Sequence, residues 1–267
     1  MTAATARRWN FWGGVLTVLT LLAALLWAFP LYWGVISSLK PEDEVIRPYI
    51  ELWPDTLTFE HYVHALTATQ IGTWYINSIV VAVGVTIITV FSAMLCGYAI
   101  SQLRFPGRLA LWWLILASFM VPISALIVNH FELIAMLTLV NTWAGTMLPQ
   151  LIHPVIIIVY KQFFDQVPKD FREAAVMDNA SEFAVLFKVY LPMNWGVTTA
   201  LSIVCFIWTW NAFLWPFLSV TRTELMPTVI VIISVRVTDR NGQRKAFQVQ
   251  MKQTIESAVV TPQFIGR

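Results

Sequence analysis

Long apolar runs separated by short polar breaks set the pattern of this chain. Apolar residues dominate about 11–39, 74–100, 109–128, 143–163 and 195–220. Each run reaches or exceeds the roughly 20 residues that a helix needs to cross a bilayer. The first run is longer than that, so it is expected to tilt or to extend beyond the lipid, and Pro30 is a candidate kink. The pattern predicts an all-α integral membrane protein, a multi-span helical bundle with five clear spans. The apolar run behind Arg7 and Arg8 is too long for the h-region of a cleavable signal, about 7–15 residues, so it reads as a first span that stays.

The polar breaks give the sidedness. The loop over 40–72 carries Glu42, Asp43, Glu44, Glu51, Asp55 and Glu60 against Lys40 and Arg47. Arg104 and Arg108 flank a Phe-Pro-Gly turn, and Lys161, Lys169, Arg172 and Lys188 gather around 168–192. Basic loops stay in the cytoplasm. The acidic loop is therefore outside, while residues 1–10 and the 168–192 loop are inside. A short amphipathic piece over 130–140 is expected at the outer surface.

The 168–192 stretch is the longest polar interruption in the second half. It reads as two short helices, about 171–178 and 182–190. Asp170 and Glu173 resemble a capping box. Asn179 sits at the turn, where Asn tolerates a left-handed backbone. Ser181 can cap the second helix, which should stop before Pro192. Such a unit between two spans forms a projecting knob.

The architecture weakens after residue 223. Residues 225–235 are apolar but about half the length of a span. Arg236, Arg240, Arg244 and Lys245 follow, and the remaining apolar stretch is interrupted by Lys252 and Glu256. Two explanations stand: the chain is truncated or altered partway into its last span, or 251–265 is a divergent sixth element sheltered by neighbouring helices. The expected organisation is a cytoplasmic N-terminus (1–10), a transmembrane domain (11–223) and a last-span region (224–267).

Composition agrees with a membrane class. The chain is 58% hydrophobic and 12% charged, against about 25% charged in soluble domains. A net charge of +2 spread over short loops gives no sign of nucleic acid binding. Cys96 and Cys205 lie in apolar runs, which argues for free thiols rather than a disulfide or zinc site. Several of the thirteen tryptophans fall near predicted span ends, where such rings anchor.

Nothing points to chemistry on a substrate. There is no phosphate loop of the GxxxxGK[ST] kind. His61 and His64 lack a third ligand, so no metal site is expected. On an exposed short helix, Glu173 suits capping rather than acid catalysis. The polar residues inside the spans are the candidates for a solute path. Asn129 and Glu132 sit at the outer end of the third run. His153 stands beside Pro154 and either bonds a neighbouring helix or faces the path. Asn211, beside Trp210 and near Trp208, either joins two helices or meets sugar hydroxyls as donor and acceptor.

The 168–192 stretch also carries a resemblance. Glu173-Ala174-Ala175, Asp178 and Leu191-Pro192 resemble the EAA loop of the permease subunits of bacterial ABC importers. The family usually has Gly after that Asp, where this chain has Asn179. The Trp-Asn-x-Phe-Leu-Trp-Pro run at 210–216 and the Ser-Leu-Lys-Pro run at 38–41 are similar to the carbohydrate branch, specifically the second permease of a maltose-type pair. The match covers roughly residues 10–225.

This resemblance implies the type I ABC importer permease architecture, half of a translocation path, and an inner-membrane location in a bacterium. It implies that Glu173, Ala174, Ala175, Met177, Asp178, Asn179, Phe183, Phe187, Leu191 and Pro192 form the loop that couples to an ATPase. The implied partners are a second permease, two ATPase subunits, an extracytoplasmic sugar-binding protein and membrane lipid. No cofactor is expected on this chain; ATP and Mg belong to the ATPase. In maltose-type pairs the substrate contacts can lie mainly on the other permease, so Asn129, His153, Trp210 and Asn211 are path candidates only. A permease for a polyol or glycerol phosphate is the nearest alternative. A secondary transporter or scaffold is disfavoured, because acidic residues within the spans are scarce.

Overall fold

The computed structural model describes residues 11–45 and 51–228, which form helices and turns with no strand among the described residues. The N-terminal segment 1–10, Arg47 and nearly all of the last-span region (229–267) lie outside the described residues. The chain forms two units, residues 1–70 and 71–267.

The first unit is built on α1 (Phe11–Ser38), whose 28 residues span about 42 Å at about 1.5 Å each, more than the roughly 30 Å of a hydrocarbon core. It runs through Pro30 as one helix, and its apolar side chains are almost all exposed. A loop holding α2 (Glu42–Val45) and α3 (Glu60–Ala68) follows. Lys40 is only 3% exposed. Its ammonium donates to the Glu51 carbonyl at 2.6 Å and lies 5.5 Å from the centre of the Trp33 ring. The Glu44 carboxylate accepts the Asp55 and Thr56 N–H groups at 3.2 and 3.3 Å. His61 Nε2 sits 2.9 Å from the Lys40 carbonyl. The Ser38–Pro41 run and its acidic loop thus form a hydrogen-bonded collar that ends the first span.

The second unit is organised around α4 (Ile71–Gln102). It continues through α5 (Arg108–Phe119), α6 (Ile123–Met136), α7 (Trp143–Met147), a 3-10 turn (Leu148–Gln150) and α8 (Pro154–Asp165). Next come α9 (Lys169–Met177), α10 (Glu182–Val185), a π-helical turn (Leu186–Tyr190) and α11 (Leu191–Met193). Then follow α12 (Trp195–Trp210), α13 (Leu214–Ser219) and a 3-10 turn (Thr223–Leu225). The main core lies where α8 and α12 pack on α4, with Val85, Met94, Ile156, Tyr160, Leu201 and Cys205 buried together. A Cβ on Gly97 would stand 2.7 Å from Tyr160 Cβ and 3.2 Å from the Lys161 nitrogen, so α4 and α8 meet backbone to backbone there. Glycine is the residue that permits that approach.

The second apolar run matches α4, but three other runs are not straight spans. The expected third span over 109–128 breaks at Met120–Pro122, where α5 and α6 are bent by 101°. The expected surface piece over 130–140 is mostly the second half of α6. Pro122 causes the break: it lacks an N–H and biases Val121 away from the helical region. The fourth run bends by 50° between Gln150 and Pro154, for the same reason at Pro149 and Pro154. Thr89 on α4 donates to the Leu151 carbonyl at this break, at 3.0 Å. The fifth run ends its helix at Trp210, and α13 is a separate short helix.

At the Asn77 end of α4, neutral polar groups hold the chain. Asn77 Nδ2 donates to the carbonyls of Glu224 (2.7 Å) and Met226 (3.4 Å). Ser78 Oγ accepts the Thr228 N–H at 2.8 Å. Asn141, at φ 62°, accepts the N–H groups of Thr221 (2.6 Å) and Arg222 (3.1 Å). The Trp215 indole donates to the Thr146 carbonyl at 3.1 Å and fixes α13 against α7.

Candidate functional site: the helix-turn-helix at 169–193

The helix-turn-helix forms, with boundaries that differ from expectation. α9 starts at Lys169 behind Pro168, and no side chain caps it. The expected Asp170–Glu173 capping box is absent. The fixed φ of Pro168 starts the helix early, leaving Asp170 in the first turn, where its charge favours the helix dipole.

The end of α9 explains Asn179. The Ala180 N–H bonds the Ala175 carbonyl and the Asn179 N–H bonds the Val176 carbonyl, both at 3.0 Å. This pair of bonds is the Schellman motif, and its C′ residue must be left-handed. Asn179 occupies that position at φ 56°. Ser181 Oγ then accepts the Ala184 N–H at 3.3 Å, starting α10.

The second arm is longer than expected. It passes through Pro192 to Met193 instead of stopping before the proline. The Leu191 N–H reaches the Leu186 carbonyl, and this widened π turn relieves the clash a proline makes with the carbonyl of the preceding turn. At Asn194 the chain then turns by 84° into α12.

A charged clamp fixes the knob to the bundle. The Arg172 guanidinium pairs with the Glu182 carboxylate across the two arms. The Tyr98 hydroxyl, on α4, donates to the other Glu182 oxygen at 2.6 Å. Burial works against the Arg172 charge, but hydrogen bonds to Glu182 and Tyr98 outweigh it and hold the guanidinium pKa above its ordinary value. Tyr190 packs edge-on against Tyr98 (5.1 Å between centroids) and Phe164 (5.6 Å). Val185, Leu186 and Tyr190 are fully buried, so the second arm is a root in the core. Sequence marks Arg172 only as one of the basic residues around the loop, and it marks neither Tyr98 nor Glu182 as a partner for it. For Tyr98 the sequence signal is only its place near the end of an apolar span, and a separation of 84 positions from Glu182 hides the contact from any local pattern.

The expected loop residues divide into two groups. Glu173, Ala174, Asp178, Asn179 and Pro192 are exposed. Met177 and Phe183 are 84% and 66% exposed, and Phe171 and Val176 add to this apolar face. The Glu173 carboxylate has no hydrogen bond or ion pair to another described residue. Ala175 and Leu191 instead pack against the core, and Phe187 stacks on Phe91 of α4 at 6.3 Å.

The path candidates are only partly brought together. His153, at the α7–α8 break, lies 5.5 Å from the Trp208 ring. Trp210 stacks on Phe206 at 5.6 Å and meets Tyr75 at 6.2 Å. Asn211 Nδ2 donates to the Ile207 carbonyl of its own helix at 2.9 Å. Asn129 is exposed on α6, and no hydrogen bond or ring contact among the described residues joins it to the others.

Comparison with known proteins gives a consistent picture. The chain is 28% identical to the arabinooligosaccharides transport system permease AraQ of Bacillus subtilis (strain 168), over 82% of this chain and 79% of the relative. It is 30% identical to AraQ of Halalkalibacterium halodurans over 84% and 81%. It is also 30% identical to the sn-glycerol-3-phosphate permease UgpE of Rhizobium meliloti (strain 1021), over 80% and 78%. Its fold is similar to a chain of a bacterial ABC transporter involved in the import of the acidic polysaccharide alginate, with a TM-score of 0.76 at 23% identity, covering 94% of this chain and 89% of that one. The family described as binding-protein-dependent transport system inner membrane component matches residues 6–225, a stretch that holds both the α4–α8–α12 core and the clamped helix-turn-helix. The chain belongs to this family, the permease subunits of ABC importers.

Proposed function

We propose that this permease forms half of a carbohydrate path through a bacterial inner membrane and couples it to an ATPase through residues 169–193. The observation that carries the coupling is the Arg172–Glu182–Tyr98 clamp, which makes the knob one stiff body with α4. In this reading the five apolar runs between residues 11 and 220 cross the membrane, and the N-terminus and the knob are cytoplasmic. Glu173, Ala174, Met177 and Phe183 meet the ATPase, while Ala175, Phe187 and Leu191 brace the loop from behind. Closure of two ATP-loaded ATPase subunits draws the knobs together, and rigid helices carry that motion across the bilayer. ATP and Mg sit on the ATPase; a second permease and an external binding protein complete the complex. His153, Trp208 and Trp210 are the path groups on this chain.

The AraQ relatives support an oligosaccharide as solute. The UgpE relative supports a second reading, a glycerol phosphate. The test is ATP-driven uptake in vesicles by the reconstituted complex, with labelled arabinooligosaccharide and sn-glycerol-3-phosphate in competition. Glu173→Lys and Ala174→Asp should leave the chain in the membrane and ATP hydrolysis running, with uptake lowered tenfold or more, since about 1.4 kcal/mol of lost docking is a factor of ten. Normal uptake by both variants removes the knob from the coupling role.

A further inference from the structure

We propose that the cavity between the ends of α4, α5, α8 and α9 binds the phosphate headgroup of an anionic phospholipid. The cavity measures about 490 Å³ and is lined by Arg108, Leu109, Trp112, Lys161, Asp165 and Lys169 among others. Its charge is unbalanced toward the positive. Asp165 is already engaged, by the Lys161 ammonium and by the Ser101 hydroxyl at 2.6 Å. Lys161 is also held 4.8 Å from the Trp112 ring centre. Arg108 uses one N–H on the Leu103 carbonyl at 3.1 Å, which leaves the rest of its guanidinium for a ligand. Lys169 has no hydrogen bond or ion pair to another described residue.

Two helices also begin at this cavity. α5 starts at Arg108 behind Gly107 and α9 starts at Lys169 behind Pro168, and neither has a side-chain cap. Uncapped first-turn N–H groups add to an anion site. A neutral sugar has no use for two spare cations, whereas a phosphate does.

The surroundings favour a lipid over a soluble phosphate. Leu109, Trp113 and Leu114 expose apolar surface along α5 beside the cavity, a track for acyl chains. Trp112 and Lys161 supply the aromatic and basic pairing typical of a headgroup level. Basic pockets between spans are suited to anionic headgroups. The proposal rests on the proposed function for naming the cytoplasmic leaflet and for the consequence: Lys169 opens α9, so a bound headgroup braces the coupling knob at its first residue.

The experiment is native mass spectrometry of the full chain in detergent, titrated with phosphatidylglycerol, phosphatidylcholine or inorganic phosphate. Phosphatidylglycerol should bind at least tenfold tighter than phosphatidylcholine. Lys169→Gln should weaken it about fivefold, and adding Arg108→Gln about fivefold more, the effect of one charge near a membrane surface. Lys169→Gln removes no hydrogen bond between described residues, so it keeps the test valid if Arg108→Gln disturbs the turn at Leu103. Lys188→Gln, on the knob but away from the cavity lining, should leave binding unchanged. Equal binding of the two lipids, or equal loss with Lys188→Gln, overturns the site. Inorganic phosphate binding with the same sensitivity to Lys169→Gln overturns the lipid as its occupant. Binding is read without transport, so failure here is distinct from failure of the coupling role.

Discussion

The two ends of α4 hold broken helices by different means. Near Tyr98 the clamp is charged: Arg172 and Glu182 pair, with side chains 28% and 42% exposed. Near Asn77 the clamp is neutral: an amide, a hydroxyl and an indole bind backbone groups freed at the breaks. Asn77 and Ser78 are 2% and 3% exposed. The contrast follows from solvation. Burying an ion costs several kcal/mol even after relaxation, about as much as the pair returns, so ion pairs belong where water still reaches. A neutral amide is satisfied by two carbonyls at much lower cost. In a bilayer every freed backbone group needs such a partner. The charged end can therefore respond to a partner protein and to salt, while the neutral end is a fixed joint.

Asn77→Ala should have the largest effect on stability. It removes both hydrogen bonds that the buried Asn77 amide makes, to the Glu224 and Met226 carbonyls, at about 2–3 kcal/mol for two bonds of roughly 1–1.5 kcal/mol each. The variant should unfold at a lower temperature in detergent, by the same margin at 50 mM and 1 M salt, because no charge is lost. A margin that changes with salt breaks the comparison.

Glu182→Ala comes next, at about 1–2 kcal/mol, since both charges are partly solvated and screened. It strands the Arg172 guanidinium and the Tyr98 hydroxyl together. Here the deficit should shrink in 1 M salt, where the screening length falls to about 3 Å. Glu182→Gln should fall between, because an amide oxygen still accepts from Tyr98. A salt-independent deficit for Glu182→Ala means that the clamp works through shape rather than charge.

Sequence showed the two ends unequally. The knob was legible because its signals are local: Ser181 before a helix, Asn179 at a turn, and a block of basic residues in a short loop. Its clamp was not, since Tyr98 reaches Glu182 only after α4 and α8 pack. Hydropathy marked the apolar runs but not their bends. A run with Pro122 or Pro154 inside scores as one span, although the missing N–H and the restricted preceding residue break the helix. The neutral joint was the least legible. Asn77 and Asn141 look like ordinary residues at the ends of apolar runs, Trp215 stands out only as part of the 210–216 run, and the value of all three arises from carbonyls and N–H groups that they meet only in the folded chain.

The smallest effect belongs to Asn179→Gly, and it separates backbone from side chain at the charged end. The left-handed C′ position of the Schellman turn penalises L residues, and Gly removes that penalty. Gly also raises the entropy of the unfolded chain, which offsets the gain. The net change should stay within about 0.5 kcal/mol, with uptake and assembly intact. Asn179→Val should instead lose about 1–2 kcal/mol, the cost of a left-handed conformation at a β-branched residue. If both hold in thermal unfolding and uptake, the turn selects only a backbone shape, and the departure from the family's usual glycine carries no functional weight. If Asn179→Gly loses assembly while its unfolding temperature is unchanged, the exposed amide itself contacts a partner, and the charged end of α4 gains a second, neutral point of recognition.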